Sequence, residues 1–323
     1  MLADLASREV VAFDLFGDRD LKGRVVTRDS LTGLVDAAVA EPPGEVVYGA
    51  SFENHPSLVA RLAERHTLLG NPPETLRAVR DPARLLSAPR MTLTEPSAGR
   101  WLVKPLRGGG GIRVRDWSGG AVPAGTYLQE RIDGVACSAA AVGDGRDAVL
   151  LGLTEQLVGL AAFGVSGYRW CGNVVRPLPA ELREQAREIC SRLAGEFGLR
   201  GLFGVDFIWD GKRAWTLEVN PRPTASLEAI EAAYGIDVFD AHLLGCAGEL
   251  PRVEAAFERP AGKAVLFATE DFVAGELRGV RDVPHPGERI AAGRPICTLV
   301  STAEDPLADL EAQAATLRME VPA

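Results

Sequence analysis

Residues 202–223, LFGVDFIWDGKRAWTLEVNPRP, read as two β-strands joined by a tight turn at Asp210, Gly211 and Lys212. An Asp-Gly pair between β-rich runs is a strong local hairpin signal. In the first strand Val205, Phe207 and Trp209 alternate with Asp206 and Ile208. In the second, Trp215, Leu217 and Val219 alternate with Thr216, Glu218 and Asn220. Successive strand side chains point to opposite faces, so Glu218 and Asn220 share a face and Asp206 on the partner strand can lie across from them. Two carboxylates and an amide converging at the end of a hairpin suit a hard cation such as Mg2+, which takes oxygen ligands and keeps waters or phosphates. The alternative is an edge hairpin whose polar residues are simply solvated. The residues upstream favour the first reading.

Residues 101–105 (WLVKP) form a strand that carries Lys104 just ahead of a proline. The chain then runs through Arg107 into Gly108, Gly109, Gly110 and Gly111, and a second strand is expected over residues 112–115. A loop without Cβ atoms lets successive backbone N–H groups approach phosphate oxygens and enclose an anion. Lys104 adds a point charge for the same oxygens. Taken alone, the glycines could equally be a flexible hairpin tip. Residues 126–132 (TYLQERI) are another strand, and residues 136–142 and 148–154 pair around a Gly143-Asp144-Gly145 turn. Residues 159–173 show no period and are expected as a loop over a cleft. Residues 179–197 are an amphipathic helix with Leu182, Ala186, Ile189, Leu193 and Phe197 on one face, ended by Gly198. Helices follow at residues 226–234 and 238–245.

Toward the N-terminus, residues 9–16 (EVVAFDLF), 45–50 (EVVYGA) and 66–70 (HTLLG) read as strands, with a helix at residues 57–65. This alternation implies a parallel α/β unit. Such a unit normally opens on a strand and a Gly-rich turn. The chain instead starts on a helix-like pattern, Leu2, Leu5 and Ala6, so the first strand is expected to be lacking. Asn71, Pro72 and Pro73 mark a boundary, and a helical stretch over residues 74–87 is broken at Pro82. After residue 251 strands at 264–268 and 296–301 and a helix at 307–319 suggest a small β-rich domain. The resulting division is residues 1–72, 73–250 (with a lid near 85–135) and 251–323.

Composition narrows the function. With 323 residues, 46% hydrophobic and 24% charged, the chain can bury a large core. No apolar run is long enough to span a bilayer, and the N-terminus lacks the basic start and apolar core of a signal peptide, so cytoplasmic residence is expected. Five scattered cysteines without CxxC spacing argue against a zinc site or a disulfide framework. A net charge of -9 disfavours a nucleic-acid surface.

In order and spacing, the Lys104 strand, glycine loop, Gln129-Glu130-Arg131-Ile132 strand, long helix and Asp206…Glu218-x-Asn220-Pro221-Arg222 resemble the ATP-grasp superfamily of ATP-dependent ligases. The likeness covers roughly residues 73–250, and Glu-Val-Asn-Pro-Arg is its most specific part. It implies an α/β (α+β) ATP-grasp fold, with the N-terminal α/β and C-terminal β-rich domains at its flanks. It further implies that Lys104 contacts nucleotide phosphates and that Gly108, Gly109, Gly110 and Gly111 are the flap over them. Glu130 and Ile132, with Gln129 and Arg131 beside them, would hold the adenine edge. Asp206, Glu218 and Asn220 would ligate Mg2+, with Mn2+ as an alternative, and Arg222 would stabilise an acyl phosphate.

Three positions depart from that pattern. The second phosphate lysine is missing where Asp81 meets Pro82, so Arg80 or Arg84 takes its place or the contact is absent. The ribose-binding acid falls near Cys137 and Ser138, of which Cys137 reads as a small buried residue. The first N-terminal strand is the third. Glu53, after a strand of the N-terminal unit, and Arg169 are expected on the substrate side, while His55 lacks the partner a general base needs. Arg222 could instead pair with Glu218 or Glu228 at the surface.

The implied activity is a ligase that phosphorylates a carboxylate with ATP and passes the acyl group to an amine, releasing ADP, in a setting such as cofactor biosynthesis. Its partners are small-molecule carboxylate and amine substrates, without nucleic acid or membrane, and a homodimer is compatible. The other readings are biotin-carboxylase-like bicarbonate activation and a nucleotide-binding regulatory protein without turnover.

Overall fold

The computed structural model describes residues 9–81, 84–252 and 256–320. The helical pattern at Leu2, Leu5 and Ala6 and the break at Pro82 lie outside the described residues.

The N-terminal unit runs β1 (Val11–Asp14), β2 (Arg24–Thr27), α1 (Leu31–Ala40), β3 (Glu45–Val46), α2 (Pro56–Ala63) and β4 (Thr67–Leu68). β1 pairs with β2 and β3 with β4, both in parallel; β3, α2 and β4 follow the expected strand–helix alternation, while β1 and β2 are joined without a helix. Helix α1 starts at Ser30, whose hydroxyl accepts the N–H of Gly33, a cap the polar sequence Arg28-Asp29-Ser30 conceals among turn residues. Sequence reading passed over β2 and α1.

The unit is fastened to the rest of the chain where Asn71-Pro72-Pro73 was expected to be a mere boundary. Asn71 is fully buried. Its amide donates to the carbonyls of Arg200 (3.1 Å) and Pro221 (3.0 Å), and its Oδ1 accepts from the Arg200 N–H at 2.8 Å. His242 adds a second brace. Its Nδ1 accepts from the Leu202 N–H and its Nε2 lies 3.1 Å from the Leu69 carbonyl. Burial lowers the His242 pKa, which favours the neutral ring that this pair of bonds requires.

After α3 (Pro73–Val79), strands β5 (Met91–Thr92), β6 (Trp101–Pro105), β7 (Arg115–Asp116) and β8 (Thr126–Glu130) form a small sheet ordered β5-β8-β6-β7. The strand expected over residues 112–115 is therefore later and shorter, because residues 111–113 are spent turning the glycine loop.

The main sheet comes next: β9 (Val135–Asp144), β10 (Ala148–Val158), β11 (Trp170–Val175), helix α4 (Ala180–Phe197), β12 (Arg200–Trp209), β13 (Ala214–Asn220), helices α5 (Leu227–Tyr234) and α6 (Val238–Ala247), and β14 (Ala261–Phe267). β15 (Phe272–Val273), β16 (Arg289–Ile290), β17 (Pro295–Ser301) and α7 (Pro306–Glu320) complete the chain. Seven strands share the sheet in the order β13-β12-β9-β10-β11-β14-β17. The C-terminal β-rich segment is thus present, but its two long strands extend the central sheet. The link is β11, which occupies part of the stretch expected as a loop; its Cys171, Gly172, Asn173, Val174 and Val175 are all buried, so no polar alternation betrays it. Helix α4 buries Leu182, Ile189, Leu193 and Phe197 against the sheet, and each such side chain contributes about 1.5–3 kcal/mol on leaving water. Gly198, at φ 65°, supplies the left-handed residue that ends it.

Candidate functional site

The β12–β13 hairpin forms as its sequence suggests. Asp210 Oδ1 accepts the N–H groups of Lys212 (2.9 Å) and Arg213 (2.7 Å), and Gly211 takes φ 92° in the turn. The register sets Asp206 opposite Glu218 and Gly204 opposite Asn220, with an irregularity just after Asp206. Such bulges re-aim side chains beside functional sites. Asn220 Nδ2 donates to Asp206 Oδ2 at 3.2 Å, and Gln156 on β10 donates to Asp206 Oδ1 at 2.9 Å.

Asp206 is pushed well above the usual carboxylate range, first by burial and then by repulsion from Glu218, with Arg222 and Lys104 opposing. Two carboxylates facing each other repel, and a hard divalent cation would offset that repulsion. Among the described residues, no group of three or more His, Cys, Asp or Glu side chains is arranged to hold a metal. What the hairpin offers is two carboxylates with an amide, an oxygen donor set that would suit Mg2+.

Arg222 pairs with neither Glu218 nor Glu228. Its Nε lies 3.0 Å from Glu53 Oε2 and its Nη2 2.7 Å from Glu53 Oε1, a two-pronged pair across 169 residues of sequence. Nη1 donates to the Pro223 carbonyl and Nη2 also reaches Asn220 Oδ1 at 3.3 Å. Glu53 sits in a short 3-10 turn after β3 and is only 2% exposed. Burial raises its pKa, but the hydrogen bonds and charge of Arg222, helped by Arg80, outweigh this and leave the group below the usual range. Glu228 pairs instead with Lys263.

Of the two arginines expected as stand-ins for a phosphate lysine, Arg80 enters the site. Its Nη2 is 3.3 Å from both Glu53 Oε1 and the Gly108 carbonyl, and its Nη1 is 3.8 Å from Glu218. Its Nε is buried without a partner. Arg84 turns away, to Glu196 and the Phe197 ring. Asn54 joins Arg80 at the Gly108 carbonyl (3.5 Å).

The glycine loop is anchored rather than free. The Trp170 N–H donates to the Gly110 carbonyl at 3.0 Å, and a Cβ on Gly111, whose φ is 70°, would lie 1.8 Å from the Tyr168 carbonyl oxygen. Lys104 Nζ donates to Gln129 Oε1 at 3.1 Å; Gln129 is 1% exposed and its Nε2 is a buried donor without a partner. Glu130 spends its carboxylate on Arg90, at 2.8 and 2.7 Å, and its backbone N–H on the Arg90 carbonyl at 2.8 Å. Arg131 pairs with Asp116.

One cleft of about 1960 Å3 collects these parts: Lys104, the four glycines, Gln129, Glu130, Arg131, Ile132, Asp206, Glu218, Asn220, Arg222, Glu53 and Arg80 all line it. His55 lines it too. Arg169 lines it, but its Nη2 is taken by the Gly293 carbonyl at 2.7 Å and its head lies over Phe267. Cys137 is buried with its thiol pushed up to about 12 by burial, as befits a small core residue. Ser138 lines the cleft and bonds Thr154 at 2.9 Å, which accepts from Asn173 at 2.6 Å. Thr154, Gln156 and Asn173 were missed; the one signal is that Thr154 and Gln156 share a face of β10, with Glu155 on the other.

Residues 74–226 match the ATP-grasp domain family. Over 107 residues the chain is 36% identical to a formate-dependent phosphoribosylglycinamide formyltransferase from Burkholderia pseudomallei, covering 33% of this chain and 26% of that one. The chain thus matches about a quarter of the length of such curated relatives. The fold resembles a biotin carboxylase from Campylobacter jejuni (TM-score 0.70, 14% identity, 98% of this chain and 87% of that one). It also resembles N5-carboxyaminoimidazole ribonucleotide synthetase from Thermus thermophilus (TM-score 0.65, 16% identity, 99% and 94%). At these identities the likeness is one of fold.

Proposed function

We propose that this chain, which belongs to the ATP-grasp superfamily and carries that domain over residues 74–226, is an ATP-dependent ligase that activates a carboxylate as an acyl phosphate with release of ADP and transfers the acyl group to an amine with release of phosphate. The observation that carries the reading is the convergence on one cleft of a facing carboxylate pair, an anchored glycine flap and two arginines, from three parts of the chain.

In this reading Lys104 and Arg80 meet phosphate oxygens, and the N–H groups of Gly108, Gly109, Gly110 and Gly111 close over them. Gln129, with its unpaired buried donor, and the backbone of Ile132 hold the base. Asp206, Glu218 and Asn220 hold Mg2+, which when bound neutralises charge on the phosphate oxygens. Arg222, kept charged and oriented by Glu53, presents a planar fork that suits a carboxylate or phosphate. The flap and the walls exclude water from an intermediate that water would destroy. ADP release from ATP and Mg2+, measured across panels of carboxylates, amines and bicarbonate, tests the reading. ADP that requires both a carboxylate and an amine supports it. ADP with bicarbonate alone moves the substrate to bicarbonate, and nucleotide binding without ADP on any panel points to a regulatory protein.

Two further outcomes are expected. First, Mg2+ should raise the melting temperature more at about pH 8 than at about pH 5. The folded-state pKa of Asp206 lies above its unfolded value, so its contribution to stability is present at low pH and is lost as pH rises through the folded value. A cation that binds the ionised pair restores the loss where the loss is greatest. Comparing with and without Mg2+ at each pH cancels groups such as Glu53, whose lowered value acts in the opposite sense. Equal shifts at both values would separate the cation from Asp206. Second, Gly111→Ala should raise the KM for ATP about ten- to a hundredfold with little change in melting temperature. The new Cβ meets the Tyr168 carbonyl and forces the flap off its anchor, and a displacement near 1 Å costs on that order.

A further inference from the structure

Beside the carboxylate pair lies a set of polar side chains that the proposed roles leave unused. Trp170 and Asn173 stand on β11, Thr154 on β10 and Ser138 on β9, the central strands of the main sheet. Thr154 is sealed at 0% exposed, whereas Ser138 keeps 5% and lines the cleft. The register fixes where the set lies. Glu218, Asp206 and Ser138 are directly opposite one another on β13, β12 and β9, and Thr154 is opposite Ser138 on β10. Directly opposed residues share a face, so these four form one row across the sheet.

The direction of the hydrogen bonds along the set follows from its first member. An indole N–H can only donate. Trp170 Nε1 lies 3.0 Å from Asn173 Oδ1, which makes that oxygen the acceptor and turns the amide NH2 toward the hydroxyls. Asn173 Nδ2 then donates to Thr154 Oγ1 at 2.6 Å and reaches Ser138 Oγ at 3.4 Å. The Thr154 hydroxyl has one hydrogen to place. Among the described residues its remaining partner is Ser138 Oγ, at 2.9 Å. Were Ser138 to donate instead, the Thr154 hydrogen would be buried without an acceptor, which is the costly arrangement. Ser138 Oγ therefore accepts, and its own hydrogen is left over at the cleft wall. Both oxygens of the facing Asp206 are already held, by Gln156 and Asn220.

We propose that Ser138 donates a hydrogen bond to a phosphate oxygen of the bound nucleotide, oriented for it by Trp170, Asn173 and Thr154. A free O–H beside a carboxylate pair suits an anion that a cation bridges to those same carboxylates. Lys104 and the glycine flap face the same cleft and serve the same anion, while the carboxylate substrate has the Arg222 fork. Ser138 stands near the place where the family resemblance puts a ribose-binding acid. The relay gives it the opposite polarity, since it donates where an acid accepts. The inference rests on the proposed function in one respect, that the cleft binds a nucleotide, and is independent of the acyl and amine substrates.

Titration calorimetry on the full chain tests it, with the β,γ-imido analogue of ATP plus Mg2+ as one probe and adenosine as the other. Ser138→Ala should weaken the analogue by about tenfold or more, the loss expected for a hydrogen bond to a charged group. Adenosine, which carries no phosphate, should bind as it does to the wild type. Ser138→Cys fills the same space and donates only weakly. It should lose affinity for the analogue by a smaller factor, and it carries the test if the alanine variant does not fold. Equal losses for the analogue and adenosine overturn the proposal, because the side chain then serves the sugar or the fold. Undiminished binding of the analogue by a folded variant overturns it as well. A wild type that binds neither probe removes the nucleotide site and the inference together, whereas wild-type binding with unaffected variants removes the inference alone.

Discussion

Glu218→Gln is expected to abolish ADP formation while the protein stays folded. Glu218 faces Asp206 across the hairpin, and its side chain is 29% exposed, so the isosteric amide loses charge without leaving a cavity. The change also removes the carboxylate that repels Asp206 and pushes its pKa up. Folding should therefore be unharmed or slightly favoured in the absence of a cation. Turnover should fall on the order of a thousandfold or more, because positioning and charge cancellation on the phosphate oxygens are most of what such a site contributes. ADP release and a melting curve on the same preparation check both halves. Unchanged turnover would remove Glu218 from the cation site.

Arg222→Ala should damage both turnover and stability, and the two can be separated. Loss of a cation that meets developing phosphate charge costs on the order of a thousandfold in rate. The stability cost has a different origin. Glu53 is 2% exposed and would keep only Arg80, at 3.3 Å, as a counter-charge. Breaking a buried pair by removing one partner typically costs about 3–5 kcal/mol, and Arg80 should hold the loss near the lower end. The double variant Glu53→Gln/Arg222→Ala should recover most of that stability without recovering turnover. Denaturant melts of the two variants supply the check. A double variant as unstable as Arg222→Ala would show that the pair is not the cause.

The hairpin, the flap strand and the long helix were legible because each rests on short-range chemistry: alternation with a period of two, an Asp-Gly turn, an apolar stripe ended by Gly198. Where those signals fail, so did the reading. β11 is buried over five of its six residues, and Trp170-Cys171-Gly172-Asn173 has neither alternation nor strong β-propensity. Its place in the sheet is settled by pairing with β10 and with β14, nearly ninety residues later. The partner of Arg222 was equally out of reach. Glu53 was marked as a substrate-side residue and Arg222 as the cation near the phosphate. Nothing local joins them, and the bond exists only because Asn71, Pro221 and His242 dock the N-terminal unit onto the hairpin. Arg80 lies two residues before Pro82, where the helical pattern breaks, and only geometry distinguishes it from Arg84.

Hydroxylamine trapping detects the acyl phosphate that this cleft is proposed to make. With ATP, Mg2+, a carboxylate that elicits ADP and hydroxylamine in place of the amine, hydroxamate should form in step with ADP. Both should vanish in Glu218→Gln. ADP formed at full rate with no hydroxamate would mean that no acyl phosphate is made.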